Sequence, residues 1–268
     1  MPFAQVGPYE INYVVEGAGF PVVLIHGLAG DHAAWAAPMD TWSRDHRVLA
    51  FDNRGAGQST QVDEPISTED MARDTLALMD EVGIERAHVV GRSMGGAIGQ
   101  HMALMAPDRV HTLTVLASFA KLDPVGARVL TNMREVLEWR GNWADHARHS
   151  VANFVSPTFF NENPETIAAI EGLIGGSSRL PACYVRQNHA CLEHDTLDRL
   201  GEIGCPTLIL AGGADPICSL TATRWMQDGF PNAESAIFEG SSHFFLIEQP
   251  ERFMSVMGEW LTKHTPAD

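Results

Sequence analysis

The sequence predicts an α/β protein with one mostly parallel, eight-stranded-type sheet, flanked by helices, and a helical cap inserted after the sixth strand. Strand-like and helix-like segments alternate through the first half of the chain, as they do in parallel sheets. The alternation stops at about residue 118 and resumes at residue 206. The 268 residues, 45% of them hydrophobic, can bury a sizeable core. We therefore expect a core of residues 1–118 and 199–268, and a cap of residues 119–198.

Strands are predicted where apolar, β-branched runs end at turn residues. The run PVVLI stops at His26-Gly27, and the run RVLAF stops at Asp52. The predicted strands are residues 8–16, 21–25, 47–51, 87–90, 110–117, 206–210 and 236–238.

Helices are predicted where apolar residues recur at helical spacing between start and stop signals. Ser67 and Thr68, followed by Glu69 and Asp70, form a capping signal, and Gly83 ends the helix that they begin. The apolar positions of this helix are Met71, Leu76, Met79 and Val82. Further helices are predicted over residues 94–105, 220–229 and 250–263.

The composition excludes several classes of partner. The formal net charge is −16, from 18 Lys plus Arg against 34 Asp plus Glu, which provides no basic surface for nucleic acid or an anionic membrane. The chain starts without a signal-peptide pattern, and no apolar run is long enough to span a bilayer. The cysteines form no CxxC pair, which indicates reduced thiols and a cytoplasmic protein; they are Cys183, Cys191, Cys205 and Cys218.

The stretch VVGRSMGGA places a serine between glycines where a predicted strand meets a predicted helix. Gly91, Ser93 and Gly95 fit the pattern G-x-S-x-G, in which a sharp turn tolerates only small neighbours. Ser93 Oγ is then exposed at the carboxyl end of the sheet as a candidate nucleophile. The Met94 N–H, at the start of the helix, is a candidate oxyanion donor.

A serine hydroxyl needs a base, and the base needs an orienting carboxylate. Asp215 follows one predicted strand in GGADP, and His243 follows the next in GSSHFF. The order Ser93, Asp215, His243 is the one that this sheet architecture uses. The loop His26-Gly27-Leu28-Ala29-Gly30 supplies a second oxyanion donor, the Leu28 N–H, and His26 is interpreted as a structural residue of that loop.

Five segments, HGLAG, DNRGAGQS, GRSMGG, GGADP and GSSHFFLIEQPERF, resemble the α/β-hydrolase fold superfamily along the whole chain except the cap. Within it the chain looks like bacterial esterases, 3-oxoadipate enol-lactonase-like serine hydrolases, cofactor-free perhydrolases and C–C bond hydrolases. The resemblance implies Ser93 as nucleophile, His243 as general base and then acid, Asp215 as its orienting residue, and Leu28 with Met94 as the oxyanion hole. Asp52 and Arg54 lie in a turn motif that is common in the superfamily, and a structural role is expected for them.

Departures from the patterns of individual subgroups reduce the number of candidate activities. Haloalkane dehalogenases and epoxide hydrolases of this fold have aspartate at the elbow, where this chain has Ser93. C–C hydrolases usually have asparagine before the nucleophile and tryptophan after the histidine, where Arg92 and Phe244 stand here. Perhydrolases often have tryptophan at the position of Leu28. Enol-lactonases stay open, because YVRQNHACLEHDTLDRLGEIGCPTLILAG resembles their return from cap to core.

Substrate contacts and metal ligands are less defined by the pattern. Arg92 could receive a substrate carboxylate bidentately, but we favour the alternative that it points away from the pocket into a salt bridge. Seven aromatic residues are candidates for lining an apolar pocket. Trp35, Phe154 and Phe160 are three of them, and the four that we take as substrate contacts are Trp139, Trp143, Phe159 and Phe244. No metal site is expected, since two histidine-containing groups lack a matched ligand pair: His146 with His149, and His189 with Cys191 and His194.

The sequence therefore predicts a cofactor-independent serine hydrolase that cleaves a small-molecule carboxylic ester or lactone through an acyl-enzyme. A C–C bond hydrolase or enol-lactonase of narrow substrate range is the alternative, and a ligand receptor on the same fold is the alternative from another class. Because specificity resides in the cap, the sequence leaves the substrate open. It also leaves open whether the protein is a monomer or a homo-oligomer.

Overall fold

One eight-stranded sheet forms the centre of the computed structural model, which describes residues 2–266. The strands lie in the order β1-β2-β4-β3-β5-β6-β7-β8. β2 pairs antiparallel with β1 and with β4, and every pairing from β4 to β8 is parallel. The prediction of a mostly parallel, eight-stranded sheet is confirmed. The strands are β1 Phe3–Val6, β2 Tyr9–Glu16, β3 Phe20–Ile25, β4 His46–Phe51, β5 Ala87–Arg92, β6 Val110–Leu116, β7 Thr207–Gly212 and β8 Ala233–Phe238.

Helices cover both faces of this sheet, which separates the core into two apolar layers. Alternate side chains of β3 face opposite layers: Val23 and Ile25 pack on one side, Val22 and Leu24 on the other. The first layer includes α2 and α3, and the second includes α1 and α11. The helices are α1 Ala36–Trp42, α2 Thr68–Glu81, α3 Met94–Met105, α4 Pro124–Arg140, α5 Trp143–Ser150, α6 Pro157–Glu162, α7 Pro164–Gly175, α8 Pro181–Glu193, α9 Leu220–Gly229, α10 Phe245–Glu248 and α11 Pro250–His264.

β1 and α1 are among the elements that the sequence patterns did not predict. β1 is four residues long, only alternate positions are buried, and it pairs with β2 alone at the sheet edge. α1 contains Pro38 and follows a short 3₁₀ turn, His32–Trp35. Its identity as a helix depends on tertiary packing, because Trp35, Met39 and Trp42 are buried against the sheet.

The segment between β6 and β7 contains α4 to α8 and no named strand. It leaves and re-enters the core at adjacent points, where Lys121 and Asp195 form an isolated antiparallel bridge. Beside this bridge the Thr196 N–H donates to the Ala120 carbonyl oxygen at 2.9 Å. We propose on this basis that residues 119–198 act as a cap on the core.

The DNRGAGQS turn is held by hydrogen bonds to buried side chains. Asp52 Oδ1 accepts from the backbone N–H of His32, and Asp52 Oδ2 accepts from that of Gln58, both at 2.8 Å. Arg54 forms a two-point ion pair with Asp74. Asp52 and Arg54 therefore each stabilise the turn through separate partners.

None of the helices within residues 2–266 has both the length and the apolar composition needed to cross a membrane. All four cysteines are free thiols.

Candidate active site

Ser93 lies at a strained turn between β5 and α3. Its backbone has φ 52° and ψ −121°, a conformation that residues with a side chain rarely adopt. The turn depends on small neighbours, because a Cβ at Gly91 would lie 2.2 Å from the Gly95 carbonyl oxygen. A Cβ at Gly95 would lie 2.1 Å from the Ile25 carbonyl oxygen. The glycines of G-x-S-x-G are thus required by backbone packing, as the sequence indicated.

The end of β6 fixes the elbow from its other side. The Ser93 N–H donates to the Leu116 carbonyl oxygen at 2.8 Å, and the Ser118 hydroxyl donates to the Ser93 carbonyl oxygen at 2.7 Å. A Cβ at Gly96 would come within 2.4 Å of Ser118 Oγ. The second glycine after Met94 therefore makes room for the Ser118 hydroxyl.

The loop after β3 lies directly against this elbow. A Cβ at Gly27 would lie 2.9 Å from Ser93 Cβ, so only glycine permits this approach. Within residues 2–266, neither the Leu28 N–H nor the Met94 N–H has a hydrogen-bond acceptor. Two backbone donors beside the candidate nucleophile are thus available to a ligand oxygen.

His26 is a structural residue of the same loop. Its ring packs where a Cβ of Gly30 would be, 1.4 Å from Nδ1, and its centroid lies 5.9 Å from that of Trp35. Burial, together with the Arg92 cation, lowers the pKa of His26 to about 3. The ring is therefore neutral at neutral pH.

Asp215 and His243 form a buried pair at the ends of β7 and β8. His243 Nδ1 and Asp215 Oδ2 are 2.7 Å apart. Asp215 Oδ1 accepts the backbone N–H groups of Ile217 and Cys218 at 2.8 and 3.0 Å. The carboxylate is thus fixed by three donors, one of which is the imidazole.

A contact between their chain neighbours brings His243 and Ser93 to the same sheet edge. The guanidinium carbon of Arg92, the residue before Ser93, lies 4.2 Å from the ring centre of Phe244, the residue after His243. In the described part of the chain, no hydrogen bond joins the Ser93 hydroxyl to His243. The two groups share an edge without a direct bond in this structure.

Arg92 does not form the salt bridge that we favoured from the sequence. Across residues 2–266, no carboxylate oxygen lies within 4.0 Å of its guanidinium. The side chain is 8% exposed, stacks on Phe244 and lies 3.4 Å, Nη1 to Nε2, from His26. Burial lowers the pKa of Arg92 to about 10, so it remains a cation at neutral pH.

Cys218 completes a group of three potential metal ligands with Asp215 and His243, whose ligand atoms lie within 4.8 Å of one another. Burial raises the pKa of the Cys218 thiol well above its usual range, with Asp215 adding to the effect. Asp215 and His243 already bind each other. The donor set therefore fits a hydrogen-bonded acid–imidazole pair beside a neutral thiol better than a cation site.

Two apolar clusters of the helical segment cover the two sides of the site. The first, Leu137, Trp143 and Tyr184, packs against Leu28 and Ala29 of the loop after β3. We call it the oxyanion-side cluster. The second packs against Phe159 and Phe244, and we call it the histidine-side cluster; its buried members are Val151, Val155 and Ile167.

Trp139, the fourth aromatic candidate, lies apart from both clusters. Its side chain is 77% exposed near the end of α4, so it contributes no buried surface to a pocket in this structure. Helical spacing would place Trp139 and Trp143 on one face, but α4 ends at Arg140 and Trp143 begins the next helix with its side chain buried. Periodicity could therefore not predict the exposure of Trp139.

Three more residues contact the site, and of these the sequence marked only Phe154, as an aromatic candidate for the pocket. Phe154 stacks on Phe244 with ring centres 4.7 Å apart and an interplanar angle of 1°. Glu248 accepts from the Ser242 N–H at 2.7 Å and from the Ser156 N–H at 3.2 Å, which joins the His243 loop to the start of α6. The third, Gln187 of α8, bonds to Ala29. No spacing signal marks Gln187 or the bond from Ser156 to Glu248, because the bonded residues lie 158 and 92 positions apart in the chain.

Comparisons with known proteins identify the fold family. A family model described as alpha/beta hydrolase fold matches residues 21–250. The carbamate hydrolase RutD of Azorhizobium caulinodans is 28% identical over 257 residues, which cover 96% of this chain and 97% of that protein. The 3-oxoadipate enol-lactonase 1 of Acinetobacter baylyi is 30% identical over 239 residues, which cover 88% of this chain and 86% of that protein.

Among solved structures, a thermophilic esterase from Thermogutta terrifontis is similar, with a TM-score of 0.88 at 26% identity. The match covers 99% of this chain and 100% of the esterase chain. The similarity extends over most of the length of each of these proteins. The chain therefore belongs to the α/β hydrolase fold family.

Proposed function

We propose that this protein is a serine hydrolase that cleaves a carboxylic ester or lactone through an acyl-enzyme. The observation that carries the proposal is the arrangement around Ser93. The strained elbow presents its side chain beside the backbone N–H groups of Leu28 and Met94, which have no acceptor among residues 2–266. The same sheet edge bears the Asp215–His243 pair. Nucleophile, oxyanion donors and oriented base are the three parts that acyl transfer requires.

The chemistry follows from these positions. His243 Nε2 accepts the Ser93 hydroxyl proton while Ser93 Oγ attacks the substrate carbonyl carbon. The Leu28 and Met94 N–H groups stabilise the resulting oxyanion. Its collapse breaks the acyl–oxygen bond, and His243 returns the proton to the leaving alkoxide. Water, deprotonated by His243, then hydrolyses the ester to Ser93, while Asp215 keeps Nδ1 protonated throughout.

The names of the relatives support carbonyl chemistry and leave the leaving group open. One is called a carbamate hydrolase, one an enol-lactonase and one an esterase. Carbamates, lactones and esters all present a carbonyl carbon bonded to a heteroatom. A test of function should therefore include each of these three classes.

Four side chains are proposed as substrate contacts. Trp143 and Phe159 belong to the apolar surroundings of the oxyanion side and the histidine side, and Phe244 lies next to His243. Arg92 is a buried cation with no carboxylate partner among residues 2–266, which supports its role as a receptor for an acidic group of the substrate. The exposure of Trp139 gives no support to a fifth contact.

The experiment is the measurement of initial rates for the wild type and for Ser93→Ala. The substrates are p-nitrophenyl esters from acetate to decanoate, several lactones and an aryl carbamate. We expect Ser93→Ala to lower kcat by about 10³- to 10⁶-fold, as removal of a serine nucleophile does. Ser235→Ala, which removes an exposed hydroxyl on β8, is the matched control and should retain wild-type rates.

Other outcomes assign the protein to another class. Equal rates for the wild type and Ser93→Ala on every substrate would contradict the proposal. Ligand-dependent increases in Tm without turnover would then favour a receptor on the same fold. Turnover confined to a single lactone would narrow the function to a lactonase.

A further inference from the structure

Helix α8 contacts the loop that carries the Leu28 N–H. The Gln187 side chain is fully buried, and its Oε1 accepts the Ala29 N–H at 2.9 Å. Its Nε2 donates to the Arg54 carbonyl oxygen at 2.8 Å. One amide of the helical segment thus connects two core loops, the one after β3 and the one after β4.

The Ala29 backbone needs support of this kind. Its φ is +57°, a left-handed conformation that is unfavourable for a residue with a Cβ. The residue before Leu28 is also held: the Gly27 carbonyl oxygen accepts the Gly30 N–H at 3.0 Å. That carbonyl shares a peptide plane with the Leu28 N–H, so the two groups point in opposite directions.

These two hydrogen bonds together fix the direction of the Leu28 N–H. The bond to the Gly27 carbonyl oxygen restrains the peptide before Leu28. The bond from the Ala29 N–H to Gln187 Oε1 restrains the peptide after Leu28. Trp143 and Tyr184 of the oxyanion-side cluster pack against Leu28 and Ala29 from the same segment. The support for the strained Ala29 therefore comes from a residue 158 positions away in the chain.

We propose that Gln187 is a positioning residue for the oxyanion hole. The helical segment then takes part in stabilising the transition state as well as enclosing the substrate. This inference rests on the proposed serine hydrolase function, because the Leu28 N–H has a role only if an oxyanion forms at Ser93. Gln187 acts through Ala29 and Leu28 and does not touch the reacting atoms.

The test replaces Gln187 by methionine, which has a similar shape and neither hydrogen bond. Gln61→Met is the matched control, because the Gln61 Oε1 accepts the Leu180 N–H and the Cys183 thiol at the start of α8. Gln61 thus also ties α8 to the core, but not to the loop that carries Leu28. Any general loosening of the helical segment should appear in both variants.

The readout is the ratio of kcat/KM for 4-nitrophenyl acetate to that for 4-nitrophenyl thionoacetate. Backbone N–H groups stabilise a developing O⁻ better than a developing S⁻, so an intact oxyanion hole favours the oxygen ester. We expect Gln187→Met to lower this ratio and kcat by about tenfold each. Complete loss of one oxyanion donor lowers kcat by about 10²- to 10³-fold, and a donor that is only displaced should lower it less. KM should change little, and Gln61→Met should keep the wild-type ratio.

The outcomes separate this inference from the function on which it rests. If the wild type and Ser93→Ala hydrolyse the ester at equal rates, the proposed function fails. If Ser93→Ala is inactive but Gln187→Met keeps the wild-type ester-to-thionoester ratio, the positioning role is overturned. If Gln187→Met does not fold, Gln187→Asn takes its place, because a side chain shorter by one methylene keeps the amide but withdraws it from Ala29. The same fall in the ratio is expected.

Discussion

At the scale of single residues, Asp215 shows how one carboxylate can be anchored by one oxygen and bind a histidine with the other. Its Oδ1 accepts two backbone N–H groups of the following turn, which leaves Oδ2 directed at His243 Nδ1. The first contact fixes the side chain, and the second selects the imidazole tautomer with the proton on Nδ1. His243 Nε2 is then left as the acceptor that the proposed mechanism needs.

Asp215→Asn should lower kcat by about 10³- to 10⁴-fold with little change in KM, because an amide neither stabilises the imidazolium nor enforces the tautomer. Rates on the best p-nitrophenyl ester would measure the effect. Asp123→Asn is the control, since Asp123 is a buried carboxylate that caps α4 through the Gly126 N–H and does not bond to His243. Equal losses in the two variants would contradict the assigned role of Asp215.

Local sequence carried enough information for some residues and not for others. Ser93, Gly91 and Gly95 were predictable because they form a local G-x-S-x-G pattern between a strand and a helix, although the crowding at Gly95 comes from the distant Ile25. The bond between Gln187 and Ala29 was not predictable, and neither was the bond between Glu248 and Ser156, because these partners lie 158 and 92 residues apart. The salt bridge favoured for Arg92 was wrong, because its guanidinium contacts an aromatic face and a neutral imidazole where a carboxylate was expected.

At the scale of elements, α2 is the helix whose start is best defined. Ser67 Oγ accepts the Asp70 N–H at 3.0 Å, and Asp70 Oδ2 accepts the Ser67 N–H at 3.0 Å, which completes a reciprocal capping box. Two backbone donors that would otherwise lack partners are satisfied. The capping signal in the sequence predicted this start correctly.

Ser67→Ala should lower the free energy of unfolding by about 1 kcal/mol, because the Asp70 N–H loses its partner. For a protein of this size that corresponds to a fall in Tm of about 2–4 °C, measurable by calorimetry. Ser255→Ala, at an exposed position within α11, removes a hydroxyl without touching a helix end and should leave Tm unchanged or slightly higher. A capping role for Ser67 would be excluded if both variants melted together.

Helix ends with their own signals were predictable, and elements defined by packing were not. The predicted bounds 94–105 and 220–229 match α3 and α9, which begin after Ser93 and Ser219 and end near Pro107 and Gly229. β1 has no such signal, because four residues with one buried face resemble any exposed terminus. It becomes a strand by pairing with β2.

At the scale of the whole molecule, the edge of the sheet opposite the candidate site is rich in histidine. His46, His88 and His111 stand at the starts of β4, β5 and β6, and His264 ends α11 beside them. Thr265 bonds to His46 Nε2 at 3.1 Å and to His88 Nε2 at 3.2 Å. The end of α11 is therefore docked on imidazole rings.

This edge should make the fold sensitive to acid. Burial, with His111 and His46 beside it, lowers the pKa of His88 to about 3. Burial also lowers the pKa of His46 and of His264. The unfolded chain binds these protons near pH 6.5, and the folded chain does not. The stability that the neutral His88 contributes is therefore fully present above pH 6.5 and is lost as pH falls toward 3.

His88→Asn should reduce this loss, because one proton fewer is taken up on unfolding. Between pH 6 and 4 we expect the slope of unfolding free energy against pH to fall by up to about 1.4 kcal/mol per pH unit. Urea titrations at a series of pH values would measure it. Above pH 7 neither state binds the proton, so the slopes of the variant and the wild type should coincide there. An unchanged slope at acid pH would show that His88 is protonated in the folded state as well.

The anchoring of the helical segment limits how such a protein could acquire a new specificity. The Ala29 N–H depends on Gln187, and the His243 loop depends on Glu248 and on Phe154. A segment transplanted from a relative would have to bring an acceptor for the Ala29 N–H, a donor for Glu248 and an aromatic ring for Phe244. Divergence by exchange of whole segments is therefore constrained by contacts that reach both sides of the candidate active site.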